Sequence, residues 1–388
     1  MAASTKKDSP PPPPRKRLRI AVLFGGRSAE HEVSIASASS VIRALDPAKY
    51  DAVPIGISKD GRWLVGRHAQ KMLSDTLKQG ERVFLPPEPG ASALVRYSDE
   101  GSAPAVGIDV VFPVLHGTYG EDGTLQGLLE LANLPYVGAG VLASAVGMDK
   151  DVQKRLFEQA GLPVVPWIAL PRSRWENHRQ EVLEQVASRF QFPVFVKPAT
   201  LGSSVGMTKA HGAEELPAAL DLAAEFAQKI LIERGVDARE IEVAVLGNEE
   251  PRASVPGEVI PHHEFYDYAA KYTEEGTQLV IPAPLNPRQT AKVQEYAVRA
   301  FQVIEGRGMA RMDFFLERHT GRIYLNEINT IPGFTSISMY PRMWEASGLS
   351  YRELIDRLIE LALEQHREKQ RTKFSFEPPP GGAGVLGG

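Results

Sequence analysis

Four polar side chains toward the C-terminal end of the chain could do chemistry together: Arg311, Asp313, Glu327 and Asn329. They lie in the segments GMARMDFFLE and GRIYLNEIN, which flank a short turn at His319, Thr320 and Gly321. A hairpin centred on Thr320 sets Asp313 opposite Glu327. Alternation along each strand then puts Arg311 beside Asp313, and Asn329 beside Glu327, on one face. Opposed carboxylates repel unless a positive charge lies between them, and an all-oxygen set of Asp, Glu and Asn suits Mg²⁺ shared with phosphate oxygens. The chemistry predicted is that of a magnesium-nucleotide site; the plainer alternative is a solvated polar face with Arg311 in an ordinary salt bridge.

Further groups could serve the same site. Residues 200–206, TLGSSVG, lie between a strand ending near Lys197 and another starting near Met207. Glycine and serine there let backbone N–H groups point at an anion, and Lys197 adds a point charge, so the loop reads as a phosphate flap or as a simple hairpin turn. No GxxxxGK[ST] pattern occurs. The first loop, GGRSAEHE, lacks GxGxxG, and its Glu30 and Glu32 fall near a helix N-terminus, where a carboxylate either complements the helix dipole or grips a substrate ammonium. Lys271 and Tyr272, in HHEFYDYAAKYTEEG, sit in a polar, aromatic stretch suited to a lid. His262 and His263 point opposite ways in a strand and have no partners at zinc-ligand spacing.

These groups need elements to position them. From Leu18, RIAVLF reads as a buried strand, followed by a glycine turn and the helix VSIASASSVIRAL, which stops near Asp46 and Pro47. A second strand and helix, IDVVFPVLHG and GTLQGLLELANL, complete an alternation that predicts a parallel sheet covered by helices. Residues 61–104 between them read as an irregular surface insertion. Next come the helix MDKDVQKRLFEQA, closed by Gly161 and Pro163, the strand FPVFVKPA, a helix over about 214–228 and the strand KILIER. After Asp237, REIEVAVLGN, PRASVPGEVI, GMARMDFFLE and GRIYLNEIN predict antiparallel sheet, with a helix over 288–304. The last helix, about 350–368, presents Leu354, Ile355, Leu358, Ile359 and Leu361 as a packing face.

A length of 388 residues with 43% hydrophobic content predicts two or three domains. A net charge of -4 offers nucleic acid no broad basic surface, and the absence of cysteine excludes disulfides, thiolate nucleophiles and sulfur-ligated metals. No apolar run suits a signal peptide or a membrane span, so the cytoplasm is the expected location. The Pro-rich start, with Arg15, Lys16 and Arg17, and the Pro/Gly-rich end from Glu377 read as flexible tails.

Taken together, GGRSAEHEVS, PVLHGTYGEDGTLQGLLE, PYVGAGVLASAVGMDK, VKPATLGSSVGM, EFYDYAAKY, RMDFF and NEINTIPGFTSISMYP closely resemble D-alanine:D-alanine ligases of the ATP-grasp superfamily. The resemblance runs from Leu18 to about residue 367, and the long 65–104 stretch resembles the larger members. It implies an α/β, Rossmann-like N-terminal domain over 18–140, then a two-part α+β ATP-grasp fold over 141–236 and 237–368, with tails at 1–17 and 369–388. ATP would be gripped between the last two domains.

By that resemblance Lys150 and Lys197 contact phosphates, Lys271 reaches the γ-phosphate, and Glu233, Val236, Glu240, Phe315 and Asn326 line the adenosine site with Ser203 over the phosphates. Asp313, Glu327 and Asn329 match the family's magnesium ligands, with Mn²⁺ a substitute and a monovalent cation an accessory. Glu30 would hold the first D-alanine's ammonium, with His116 nearby. Arg311 and the N–H of Gly333 would face the developing oxyanion, and Ser338 with Met339 would take the second substrate's carboxylate. Tyr272, joined to Ser203 and Glu30, resembles the type that uses an amine rather than a hydroxy acid as acceptor. A homodimer is the implied assembly, with no nucleic-acid or membrane partner. Against this stand a related ligase of other specificity, a nucleotide-binding regulator, which would need neither Glu30 nor Tyr272, and an NAD oxidoreductase, which lacks its glycine fingerprint.

Overall fold

The computed structural model describes residues 17–66, 73–90, 93–98, 101–261 and 277–375. Three sheets follow one another along the chain. The first begins with β1 (Leu18–Gly25), α1 (His31–Ala44) and β2 (Tyr50–Ile57), the expected strand, turn and helix. The chain then forms β3 (Trp63–Val65), α2 (Leu73–Gln79), β4 (Glu81–Phe84), β5 (Ala93–Ser98) and β6 (Gly101–Gly107), and returns beside β1 as β7 (Val110–Pro113). Strands β2, β1 and β7 are parallel, as predicted, and β2 to β6 pair antiparallel in succession.

The described part of residues 61–104 is therefore not irregular: it begins four strands that extend the sheet. Their sequence hides this because β4 buries only Val83, while β6 is built from Gly, Ser, Ala, Pro and Val with its first four residues exposed. Such strands are held by ladder hydrogen bonds and leave little hydrophobic period to read.

Helices α3 (Thr124–Leu131), α4 (Val141–Met148) and α5 (Lys150–Gln159) lead into the second sheet. The side chain of Asp149 accepts from the N–H groups of Asp151 and Val152 and starts α5. The second sheet comprises β8 (Trp167–Pro171), β9 (Val194–Pro198), β10 (Thr208–Ala210) and β11 (Lys229–Arg234) in the order β10-β9-β11-β8. It packs on α6 (Arg172–Asn177), α7 (Arg179–Arg189) and α8 (Leu216–Phe226) around Trp175, Val182, Val186 and Leu220.

The third sheet is antiparallel and runs β15-β14-β12-β16-β17, from β12 (Ala238–Gly247), β13 (Arg252–Ala253), β14 (Gly257–Pro261), β15 (Thr277–Val280), β16 (Gly308–Glu317) and β17 (Ile323–Asn329). The expected single strand PRASVPGEVI is two, β13 and β14, because Pro256 between them has no N–H for the ladder. Helix α9 (Pro287–Val303) covers the sheet, and α10 (Met339–Ala346) and α11 (Tyr351–Lys369) follow. A reciprocal capping box between Ser350 and Glu353 starts α11. Its five predicted apolar residues are buried in one core with Ile20, Val22 and Phe24 of β1 and Phe112 of β7.

Candidate active site

The β16–β17 hairpin is the frame of the site. Asp313 pairs with Glu327 and Arg311 with Asn329, the expected pairs, but the strands next to the turn are not centred on Thr320: Leu316 pairs with Ile323 and Phe314 with Leu325, and a register shift just beyond Asp313 restores the expected pairing. The turn and the acid pair thus lie on opposite sides of a bulge at Asn326. The Arg311 guanidinium makes two 2.7 Å bonds to the Asp313 carboxylate and lies 3.2 Å from Glu242, while Asn329 donates to Asp313 at 3.0 Å. Burial opposes the charge on Arg311, but the fields of Asp313, Glu242 and Glu327 outweigh it and hold the guanidinium protonated. The salt bridge of the plainer alternative is present beside the opposed acids.

A lysine of the helix leading into the second sheet reaches this face, and two more meet on Glu233 of β11. The Lys150 ammonium, at the start of α5, lies 3.0 Å from Glu327 and donates to the carbonyl of Leu201 at 3.0 Å. Lys197 on β9 lies 2.6 Å from one oxygen of Glu233, and Lys154 lies 2.7 Å from the other. Lys154 is fully buried; burial pushes its pKa down, and the field of Glu233 only partly restores it. For Glu233, burial favours the neutral form, but the two ammonium groups overcome it and hold the carboxyl below its usual range. Lys154 is a member that sequence reasoning missed. The sequence carries no local signal for it: only the structure shows that α5 turns Asp151, Gln153 and Lys154 inward, where a polar face must find partners.

The flap between β9 and β10 has left-handed serines at Ser203 and Ser204, with φ of 50° and 58°. Non-glycine residues adopt that conformation at a cost, and a tie offsets it here: the Ser203 hydroxyl donates to Glu30. Glu30 precedes α1 without capping it, so the helix-capping alternative does not hold for its side chain, and Glu32 pairs with Lys59. The preceding turn needs its glycine: at Gly25, with φ of 88°, a Cβ would stand 2.3 Å from the carbonyl oxygen of Ile57.

His116 uses both ring nitrogens internally, Nδ1 at 3.0 Å from the Ile331 carbonyl and Nε2 at 3.3 Å from the Ser37 hydroxyl. Burial lowers its pKa and keeps it neutral. A Cβ on Gly333 would meet the Ser338 hydroxyl at 3.2 Å, so the two expected substrate-facing groups are neighbours. The Ser338 oxygen accepts from the N–H of Thr335 at 3.1 Å. Met339 buries its side chain in the core and starts α10, where the first backbone N–H groups lack helical partners.

Toward the expected adenosine side, Glu240 pairs with Phe315 across β12 and β16, and Val236 lies between β11 and β12. The side-chain oxygen of Asn326 is buried without a hydrogen-bond partner, an acceptor left for a ligand. Lys271, Tyr272, His262 and His263 lie outside the described residues, as do 1–16 and 376–388. A separate cleft of about 550 Å³, lined by Arg288, Lys292 and Arg322, contains none of the site residues. Among the described residues no helix is long and apolar enough to cross a membrane.

A small sheet carrying a Gly/Ser flap, whose leading helix reaches through Lys150 to a larger antiparallel sheet with an acidic hairpin, is the architecture of an ATP-grasp enzyme. The family descriptions that match are the D-ala D-ala ligase N-terminus over residues 19–139 and the D-ala D-ala ligase C-terminus over 156–360. The D-alanine--D-alanine ligase of Heliobacterium modesticaldum is 51% identical over 354 residues, covering 91% of this chain and 96% of that protein. Among solved structures, the D-alanine-D-alanine ligase from Coxiella burnetii is 40% identical with a TM-score of 0.81, covering 92% of this chain and 96% of that one. The VanG D-Ala:D-Ser ligase from Enterococcus faecalis is 36% identical with a TM-score of 0.80, covering 89% and 100%. The chain belongs to the D-alanine–D-alanine ligase family.

Proposed function

We propose that this chain joins two D-alanine molecules into D-alanyl-D-alanine at the expense of ATP, releasing ADP and phosphate, for the synthesis of peptidoglycan precursors. The observation that carries this reading is the convergence of Lys150, Arg311, Asp313 and Glu327 on one face of the hairpin, in a chain whose family performs that ligation. The first D-alanine carboxylate attacks the γ-phosphorus and ADP departs, leaving D-alanyl phosphate. The second D-alanine's amine then attacks the acyl carbon, loses a proton, and expels phosphate as the peptide bond forms.

Asp313, Glu327 and Asn329 offer the hard oxygen donors that suit Mg²⁺, and the metal would share the two carboxylates with Arg311 and Lys150, which contact them here. When bound, the metal neutralises charge on the transferring phosphoryl group. Mn²⁺ would substitute for it, and a monovalent cation would be an accessory. Lys150, Lys197 and Lys271 hold the phosphates, and the Ser203 flap closes over them. Glu233, Val236, Glu240, Phe315 and Asn326 hold the adenosine, the Glu233 carboxylate serving first as counter-ion to two lysines. Glu30 receives the first ammonium, and its tie to Ser203, extended by Tyr272, keeps water from the acyl phosphate. His116 supports that pocket. Arg311 and the Gly333 N–H stabilise the oxyanion, and Ser338 with the Met339 backbone takes the second carboxylate.

Three domains with boundaries near residues 140 and 236 agree with three sheets that each lie between those limits. A cytoplasmic homodimer completes the proposal. Phosphate release from ATP and magnesium should require D-alanine, fail with L-alanine, and be abolished by Asp313→Ala; activity independent of D-alanine would overturn the reading. With D-alanine first, Tyr272 predicts dipeptide over depsipeptide near neutral pH. Preferential depsipeptide formation with D-lactate as the second substrate would overturn that part alone.

A further inference from the structure

Both backbone polar groups of Ile331 are taken by side chains from the loop after β7. Its N–H donates to Glu121 at 3.3 Å, and its carbonyl accepts from His116 at 3.0 Å. The second Glu121 oxygen accepts from the N–H of Gly117 at 2.8 Å. Three residues on, the Phe334 N–H donates to the Ser37 hydroxyl at 3.4 Å, and that hydroxyl meets His116. With His116 neutral, the chain of donors has one consistent direction: Phe334 N–H to Ser37, Ser37 O–H to Nε2, and Nδ1–H to Ile331. Residues 330–334, which follow Asn329 and contain Gly333, are thus strapped at both ends to the part of the molecule that carries Glu30.

One strap is a carboxylate where a neutral acceptor would satisfy the same backbone N–H groups. It stands within the field of Glu30, whose own carboxylate is so close to Gly117 that a Cβ there would come 3.1 Å from it. Two acids placed together raise each other's cost of ionisation, and burial adds to it, pushing Glu121 up to about 8. A cation arriving at Glu30 relieves that cost and strengthens the Glu121 bonds to Gly117 and Ile331.

We propose that Glu121 is a positioning residue that couples occupancy of the first-substrate pocket at Glu30 to the placement of residues 330–334, and hence of the Gly333 N–H. The ammonium of the first D-alanine tightens the strap, and the strap aligns the donor used when the second D-alanine attacks. This rests on the roles given above to Glu30 and Gly333.

The test uses the full chain with ATP, magnesium and D-alanine, measuring phosphate and dipeptide together. Glu121→Gln keeps the reach but turns one acceptor into a donor. It should raise the KM of the second D-alanine by about tenfold and leave that of ATP within about twofold, the size expected for losing a hydrogen bond to a charged group. Phosphate released per dipeptide should rise above one as acyl phosphate is lost to water. Ser37→Ala, which loosens the far end without touching either acid, should move the same ratio in the same direction, and it carries the test if the Gln variant fails to fold. A ratio held at one in the variants, with only a lower melting temperature or a uniform fall in kcat, overturns the proposal. No D-alanine-dependent phosphate from the wild-type chain overturns the ligase reading and this inference with it.

Discussion

Glu233 sits between Lys154 and Lys197 with 3% of its surface exposed, so three charges share a volume that water scarcely enters. Removing one partner from a buried ionic set leaves desolvated charge behind. Lys154→Ala should cost about 3 kcal/mol, read as a lower urea midpoint at constant slope. Replacing Lys154 with Met keeps the volume and separates lost packing from lost charge. Glu121 gives a prediction of opposite character. Its folded pKa, up to about 8, lies above that of the unfolded chain, so the folded state holds the extra proton and stability falls as pH rises through that interval. In the absence of substrate the wild type should therefore lose stability relative to Glu121→Gln between pH 5 and pH 8, as seen by melting temperatures recorded across that range.

At the level of elements, start signals set much of the stability of the last helix. Ser350→Ala removes the acceptor for the Glu353 N–H and should lower unfolding free energy by about 1 kcal/mol, measured in urea. The elements differ in how openly the sequence declares them. Helix α11 was legible from Leu354, Ile355, Leu358, Ile359 and Leu361 because burial on one side leaves a period of its own. The hairpin was legible for the same reason, since Met312, Phe314 and Leu316 turn into the core while Arg311 and Asp313 face the other way. Strands β3 to β6 were not, because β3 and β4 are too short to show a period and the edge strand β6, with its exposed glycine and serine, is specified by its neighbour rather than by its own side chains. The site followed suit. Residues on regular strands could be placed by counting, whereas Glu121, Lys154 and Ser37 act through contacts 79 to 297 residues distant in sequence, which no local pattern encodes.

Across the described residues, one apolar core joins β1 and β7 of the first sheet to α10 and α11, so the first sheet and the last two helices are packed as a unit around Phe334, which touches Phe112, Tyr340 and Tyr351. The proposed nucleotide face lies instead on lysines and carboxylates shared between the second and third sheets. A non-hydrolysable ATP analogue with magnesium at a hundred times its Kd should add about 2.7 kcal/mol to stability, seen as a higher melting temperature that chelation reverses and Asp313→Ala lacks. The bulge at Asn326 has a consequence for how this architecture can change over generations. Residues 318–322 at the hairpin tip are exposed, while ten consecutive pairs with β12 and the offset at Asn326 fix the strands farther in. The tip is thereby insulated from the acid pair. Lineages can lengthen or shorten it, and an engineer can graft a peptide tag there, without rotating Asp313 away from Glu327.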